Sequence, residues 1–367
     1  MSPAVVVLCA VIGAGIIVVT LADVFLTVLF PASGRGPVRR PLSKLTWRVF
    51  RGIAGRVHGR RRRDVLSYSG PVLIATTITS WVVLLTVGWA LLYWPLLGSQ
   101  INAVTGPTDP SFGAALYYSG YALTTLGLGD ITPATGLARF LTVFESAIGF
   151  GTVSMVITYF LSVYAALTRR RTRAALLHHA TGGTGRAADL LAAFSQPSDD
   201  PELRGQMRQV GAFVQEVCET HRSYPVLRYF HFRQPEHSLP RVLLIVLDSA
   251  ALLRATGRGD GWPALRLIDG AAHQLLTELV PHAPRSWTPD VREAAVRAFD
   301  EQWTVLADAD LVSVGIEEGR RRYLDDRAGW EPKLRALAGV MLYRWDDIEP
   351  TTHARGAGQS ATAGHAQ

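Results

Sequence analysis

The chain has 367 residues, of which 48% are hydrophobic, and it carries a formal net charge of +7 at pH 7. Its apolar residues are concentrated in three long, nearly uncharged runs in the first half, whereas Arg, Asp and Glu are dense in the second half, which excludes a wholly soluble protein. The only two cysteines, Cys9 and Cys218, exclude a disulfide framework and suit a reducing compartment.

The three apolar runs, 4–30, 71–94 and 137–167, predict three transmembrane helices, because about 20 apolar residues span a bilayer. The first run is too long for the hydrophobic region of a secretory signal and has no basic segment before it, so we expect a retained helix. It contains one acidic residue, Asp23. Two interpretations of Asp23 remain open: a functional carboxylate, or a structural partner of an arginine in the next loop or of another helix.

The segment Arg35–Arg63, between the first two runs, contains ten arginines, one lysine and no acidic residue. Such a cluster indicates a cytoplasmic loop that contacts anionic lipid, and it argues against nucleic acid as a partner. A second basic run, Arg169–Arg173, follows the third helix. Both runs face the cytoplasm only if the N-terminus is outside. The sequence therefore predicts a multi-pass plasma membrane protein with its N-terminus outside and its C-terminal domain in the cytoplasm.

The segment between the second and third runs carries the string YYSGYALTTLGLGD at positions 117–130. Residues 111–136 are too few to cross the membrane and return, so we expect a short re-entrant helix from Ser111 to about Thr124, followed by an extended return. Irregular backbone at membrane depth is tolerated only where it lines water or is buried in protein. The alternating glycines allow successive carbonyl groups to point the same way. Rings of such carbonyl oxygens can replace the hydration shell of a cation.

Residues 71–167 resemble the pore module of tetrameric potassium channels. The string ALYYSGYALTTLGLGDITPATGLARF is similar to that family's aromatic pair with serine, its TTVGYGD filter, its Pro-x-Thr turn and its following basic residue. The resemblance implies an outer helix, a pore helix, a filter and an inner helix in a homotetramer, with potassium as the permeant ion. It implies that potassium binds to backbone carbonyls and to the Thr125 hydroxyl of the filter, which comprises Thr125, Leu126, Gly127, Leu128 and Gly129.

Further residues around this filter are expected to support it or to gate the pore. The expected filter support comprises Tyr117, Tyr118, Thr124, Asp130 and Glu145, and Glu145 is expected behind the filter rather than in the pore lining. Gly149 matches the hinge glycine of the family's inner helix, and Gly151 is the next candidate. Leu128 stands where the family usually has Tyr or Phe, and GLG is similar to the second pore loops of two-pore-domain potassium channels. We therefore expect weaker selectivity over sodium.

The second half of the chain predicts a helical cytoplasmic domain. Residues 187–348 show helical periodicity without an alternating strand pattern, and the run RVLLIVLDSAALL is expected to be a buried core helix. The predicted fold class is all-α: three transmembrane helices, a re-entrant pore helix with its filter, and an all-helical cytoplasmic domain. The predicted divisions are an N-terminal helix with a basic linker, a pore module, a second linker, the cytoplasmic domain and a disordered tail, at 1–66, 67–168, 169–186, 187–348 and 349–367. The flexible part of the second linker is expected at Thr181–Gly185.

The cytoplasmic half shows no pattern typical of catalysis. Residues 187–346 contain no nucleophile–base pair or metal-ligand spacing, and the strings GGTG and GRGDG follow no predicted strand. We therefore expect no enzyme activity, no cofactor and no nucleotide-binding domain. The histidines at 178–237 are expected at the surface or at helix caps rather than as pH sensors. The predicted function is a potassium channel, and the alternative is a membrane-anchored helical signalling protein with a vestigial pore.

Overall fold

The computed structural model describes residues 2–30, 36–195, 201–284 and 286–349, and this part of the chain is predominantly helical. Arg35 and the predicted tail beyond residue 349 lie outside the described residues. Two short strands, β1 (Ile101–Ala103) and β2 (Ile131–Pro133), pair antiparallel. The helices in chain order are α1 (Pro3–Val28), α2 (Arg39–Ala54), α3 (Gly59–Ser67), α4 (Ser69–Tyr93), α5 (Phe112–Leu123), α6 (Gly136–Ala180), α7 (Ala187–Ala193), α8 (Pro201–Ser223), α9 (Leu239–Ala255), α10 (Pro263–Leu279), α11 (Pro289–Asp308), α12 (Ile316–Val340) and α13 (Trp345–Ile348).

The chain folds into two compact units. The first comprises Met1–Ile53 and Tyr68–Ala165, and the second comprises Ala54–Ser67 and Ala166–Gln367. The second unit therefore includes α3, which comes from the basic segment between the first two membrane helices, in addition to the C-terminal half of the chain.

Three helices of the described chain are long and apolar enough to cross a membrane. They are Pro3–Val28, the continuous helical stretch Gly59–Leu96 that contains α4, and Gly136–Ala180. The predicted all-α membrane architecture with three spans is thus confirmed. The short helix α5 between the second and third spans lies where the re-entrant pore helix was expected.

The N-terminal helix α1 packs along α4 at a pair of glycines. A Cβ atom on Gly13 would lie 2.6 Å from the carbonyl oxygen of Gly88, and one on Gly88 would lie 3.1 Å from the carbonyl oxygen of Gly13. Small residues at such a crossing let the two backbones approach closely, and van der Waals packing then stabilises helix association in lipid. This contact attaches the additional helix to the outer helix of the pore module.

The buried carboxylate of Asp23 joins three elements of the first unit. Its Oδ1 atom accepts hydrogen bonds from the backbone N–H groups of Val38, at 2.7 Å, and Arg39, at 3.2 Å, where α2 begins. Its Oδ2 atom accepts from the indole N–H of Trp81 on α4, at 2.7 Å. The negative charge also lies at the positive end of the α2 dipole. Among the described residues Asp23 has the structural role, but its partners are backbone amides and an indole rather than an arginine.

In the second unit the core is built around α9. Nearly every residue of α9 is buried, which confirms that RVLLIVLDSAALL forms a core helix. Helix α12 packs along α9, and α8 pairs with α10. The core also contains charge: Asp248 of α9 accepts hydrogen bonds from Gln302, at 2.7 Å, and from Arg327, at 3.3 Å. Because Arg327 also bonds Glu331, at 2.8 Å, this buried ion cluster has partners on several sides.

Two expectations about the second unit are wrong. Residues 169–186 were expected to form a linker with Thr181–Gly185 as its flexible part, but α6 continues to Ala180, and Leu177 is buried in the core of the unit. Burial of an apolar side chain against the core is favourable, so the packed helix is more stable than an unpacked flexible segment would be. His221 and His231 were expected at the surface or at caps, but both are buried. A turn with positive φ at Gly182, Gly183 and Gly185 follows α6, and α7 then begins at Ala187.

Replacing Asp23 should destabilise the first unit strongly. Asp23→Ala leaves three buried N–H donors without an acceptor, and each such group costs about 1–3 kcal/mol. We expect a clearly lower midpoint of thermal unfolding for the detergent-solubilised protein. Asp325→Ala, which removes an exposed carboxylate, is the control and should shift the midpoint little. Equal midpoints for the two variants would show that the Asp23 contacts do not hold the unit together.

Candidate functional site

The pore helix α5 is capped at its start and ends at the filter. The Ser111 side chain accepts a hydrogen bond from the backbone N–H of Ala114 at 3.2 Å, and the Ser111 hydroxyl donates to Asp109 at 2.7 Å. The helix ends at Leu123, so its negative dipole end points toward the filter segment, where it favours a cation. The observed helix, Phe112–Leu123, agrees with the expected span to within a residue at each end.

The filter backbone alternates between left-handed and ordinary conformations. Thr125, Gly127 and Gly129 have φ angles of 57°, 59° and 79°, respectively. The two glycines adopt this region freely, whereas Thr125 is one of three non-glycine residues in the described chain with positive φ. Alternation of this kind aims successive carbonyl groups in one direction, which is the arrangement that a carbonyl-lined cation site requires. The positive φ of Thr125 could not be predicted from the sequence, because β-branched residues usually avoid this region.

Tyrosines of the pore helix tether the far end of the filter from behind. The Tyr117 hydroxyl donates a hydrogen bond to Asp130 at 2.8 Å, and the Tyr121 hydroxyl donates to the carbonyl of Ile131. The backbone N–H of Val104 donates to the carbonyl of Asp130 at 2.9 Å. The structure thus brings together Tyr117 and Asp130, two of the residues expected to support the filter. Tyr121 was missed from sequence, although its position one helical turn after Tyr117 placed it on the same face.

Helix α6 forms hydrogen bonds to the middle and the C-terminal end of the pore helix. The Ser146 hydroxyl donates to the carbonyl of Ala122 at 2.8 Å, and the Ser119 hydroxyl donates to the buried carboxylate of Glu145 at 2.6 Å. Thr142 donates to the carbonyl of Ala138 at 2.8 Å, so it accepts the hydrogen bond from the Tyr118 hydroxyl at 2.6 Å. These contacts place Glu145 behind the pore helix and join the Tyr118 side chain of the pore helix to the inner helix.

Thr124, which was also expected to support the filter, and the filter leucines differ in placement from the other expected support residues. The Thr124 hydroxyl donates to the carbonyl of Gly120, one turn earlier in α5, at 2.7 Å. The side chains of Leu126 and Leu128 are 65% and 53% exposed in the single chain. Leu128 therefore gains little packing from its own chain. The Tyr118 hydroxyl donates to Thr142, so its oxygen remains a candidate acceptor behind the filter.

The two glycines proposed for gating differ in their surroundings. A Cβ atom on Gly149 would lie 1.9 Å from the carbonyl oxygen of Leu123, the last residue of the pore helix. A Cβ atom on Gly151 would meet nothing within 4 Å. Gly149 is therefore a point of close approach between the inner helix and the end of the pore helix, a packing role that the sequence did not indicate beside the hinge role.

Comparisons with known proteins identify an ion channel module in the same part of the chain. A family model described as an ion channel matches residues 72–166. The chain is 30% identical over 241 residues to YdjJ of Bacillus subtilis (strain 168), named an uncharacterized membrane protein, with 65% of this chain and 67% of that protein covered. It is 36% identical over 70 residues to two pore potassium channel c of Oryza sativa subsp. japonica, with 19% of this chain and 15% of that protein covered. No solved structure matches the chain significantly.

Gly149→Ala should disturb the filter as well as the gate. The new methyl group must displace the Leu123 carbonyl, which lies two residues before Thr125, so we expect both open probability and ion selectivity to change. Gly151→Ala is the matched control. It adds a methyl group in open space and favours the helix by up to about 1 kcal/mol, so selectivity should stay as in the wild type. Single-channel recording of both variants separates the roles, because a pure hinge at Gly149 would leave selectivity unchanged.

Proposed function

The chain belongs to the ion channel family that carries the two-transmembrane potassium-channel pore module, and we propose that it conducts potassium ions through the filter TLGLGD. The observation that carries the proposal is the alternating backbone of Thr125, Gly127 and Gly129, held between a capped pore helix and the inner helix. Carbonyl oxygens aimed in one direction replace the water that a potassium ion loses on entry. In this proposal the chain catalyses no reaction and needs no cofactor.

A closed ring of four copies is the assembly that this filter requires. One pore loop per chain supplies only a quarter of each carbonyl ring, and closed symmetry completes the ring. The exposed side chains of Leu126 and Leu128 support this, because an irregular segment at membrane depth is stable only when protein or water covers it. Neighbouring subunits are the cover that we propose.

We propose that the protein lies in the plasma membrane, with its N-terminus outside and the second unit in the cytoplasm. The helix α2, at the end of α1 opposite the N-terminus, then lies along the cytoplasmic leaflet. Two exposed stripes support contact with anionic lipid, one basic and one apolar: Arg40, Lys44 and Arg48 form the first, and Leu45, Val49 and Ile53 form the second. An amphipathic helix of this type inserts its apolar side below the headgroups while its basic side attracts them.

Conduction by the purified protein tests the proposal directly. In planar bilayers with opposed potassium and sodium gradients, the wild type should carry a current that reverses near the potassium equilibrium potential. Gly127→Ala should abolish this current. A Cβ at this position meets no atom within 4 Å, so the obstacle is the φ of 59°, which costs an L-residue about 1–2 kcal/mol in each of four copies.

Size-exclusion and light-scattering measurements on both proteins serve as the assembly control. The substitution should leave a four-copy particle intact. A wild-type protein that forms this particle and carries no current would favour the membrane-anchored signalling protein with a vestigial pore. A stable monomer would contradict the ring itself.

Leu128→Tyr should sharpen selectivity and lengthen openings. A tyrosine adds a hydroxyl behind the filter, and one net hydrogen bond is worth about 0.5–1.5 kcal/mol in each copy. The acceptor is a group of a neighbouring subunit or the hydroxyl oxygen of Tyr117 or Tyr118. Each of these two hydroxyls donates its own proton elsewhere and can still accept. We expect a larger shift of reversal potential toward potassium in mixed gradients. Leu128→Phe, which adds the ring alone, is the matched control. If all three proteins had the same selectivity and open time, the hydroxyl would have no role in filter stability.

A further inference from the structure

A cleft of about 360 Å³ lies in the second unit between the end of α6 and the first half of α8. The α6 residues that line it have the i, i+3, i+4, i+7 spacing of one helix face, and they are Arg173, Leu176, Leu177 and Ala180. Leu177 is buried in the core of the unit, whereas Leu176 is 55% exposed. Small-molecule sites in proteins have volumes of about 300–1,000 Å³, so the cleft is large enough for one small ligand.

The surface of α8 that faces the cleft combines apolar side chains with two amides. Val210 and Phe213 belong to the buried core, and Gln206 and Gln209 precede them on the same face of the helix. Phe194, at the end of α7, adds a second aromatic ring to the lining. A mostly apolar lining with a few polar groups is typical of sites that bind small organic ligands.

The polar side chains on the cleft have no partner within the described chain. The Arg173 guanidinium and the side-chain amides of Gln206 and Gln209 form no hydrogen bond or ion pair with a described residue. His179 is the other polar residue of the lining, and no acidic side chain lines the cleft among the described residues. Because arginine stays protonated, the cleft carries one permanent positive charge. A ligand that balances this charge has to be an anion.

One helical turn earlier on α6, the chain supplies the acid itself. Arg169 lies four positions before Arg173, and its Nε atom is 3.1 Å from a carboxylate oxygen of Glu216 on α8. Gln209 lies seven positions before Glu216, and therefore on the same face of α8. An arginine of α6 thus has a carboxylate partner on α8 at one turn and only amides at the next, where the cleft lies.

We propose that this cleft binds a small carboxylate with an apolar body, of the size of an arylalkanoic acid. The single negative charge of the carboxylate balances the single permanent charge of Arg173, and its oxygens accept hydrogen bonds from the guanidinium. The apolar body packs against the leucine and phenylalanine side chains of the lining. A nucleotide would instead place several negative charges against one permanent cation.

This binding does not depend on conduction, so it can be tested whether or not the protein passes current. The full-length protein in dodecyl maltoside is titrated with phenylbutyrate by isothermal titration calorimetry, and detergent alone is the blank for partition into micelles. Phenylbutyramide, which has the same apolar body without the charge, is the matched ligand control. We expect saturable binding of phenylbutyrate and an affinity for the amide that is about tenfold weaker, because hydrogen bonds to charged groups are the stronger ones.

Two variants test the role of the arginine. Arg173→Gln removes the charge at an exposed position, so it should weaken phenylbutyrate binding about tenfold and leave the affinity for the amide as in the wild type. Arg171→Gln removes the same charge from an exposed neighbour that does not line the cleft. As the matched control it should keep the phenylbutyrate affinity within about twofold, since surface substitutions of this kind have small effects.

Several results would overturn the proposal: no saturable binding to the wild type, equal affinities for the carboxylate and the amide, or unchanged phenylbutyrate binding by Arg173→Gln. A density map of the wild-type protein with phenylbutyrate provides the second measurement. The proposal requires a carboxylate oxygen at about 3 Å from the Arg173 guanidinium. A segment of this chain or of a neighbouring copy that fills the cleft would contradict it.

Discussion

Every polar group of an irregular backbone must find a partner when it lies at membrane depth, and the first unit is organised around that requirement. The filter has no helical or sheet ladder to satisfy it. Side chains from the pore helix and the inner helix therefore bond the backbone on either side of it: Tyr121 bonds Ile131, and Ser146 bonds Ala122. In the proposed function the carbonyls of the filter itself remain for the ion. The same logic applies at the end of α1, where Asp23 accepts the first N–H groups of α2.

Features that depend on local pattern could be predicted from the sequence, and features that depend on tertiary approach could not. The three spans, the pore helix and the filter glycines follow from run length and residue type, which are visible along the chain. The partners of Asp23 were not visible, because Trp81 lies 58 positions away and the backbone amides of α2 carry no signal. Burial of His221 and extension of α6 to Ala180 depend on what packs against them. The polarity of the local sequence therefore could not predict either feature.

The second unit uses two different ways to keep arginine away from water. Arg327 is surrounded by acceptors: Asp248 and Glu331 lie on separate helices, and each bonds a different nitrogen of the guanidinium. Arg170 bonds one buried imidazole and packs over one aromatic ring. The first arrangement is complete within the chain, whereas the second has a cation without a described counter-charge. Two buried guanidinium groups in one core thus differ in how completely the described residues bond them.

The glycine contact between α1 and α4 affects which residues a chimeric channel built from this chain must include. The family match starts at residue 72, within α4, so a chimera designed from it would omit α1. Such a graft would expose the backbone around Gly88 to lipid and leave the Trp81 indole without its carboxylate acceptor. The segment that matches the ion channel family therefore does not include all the residues that complete the packing of the first unit. A working exchange of pore modules has to carry the N-terminal helix with it.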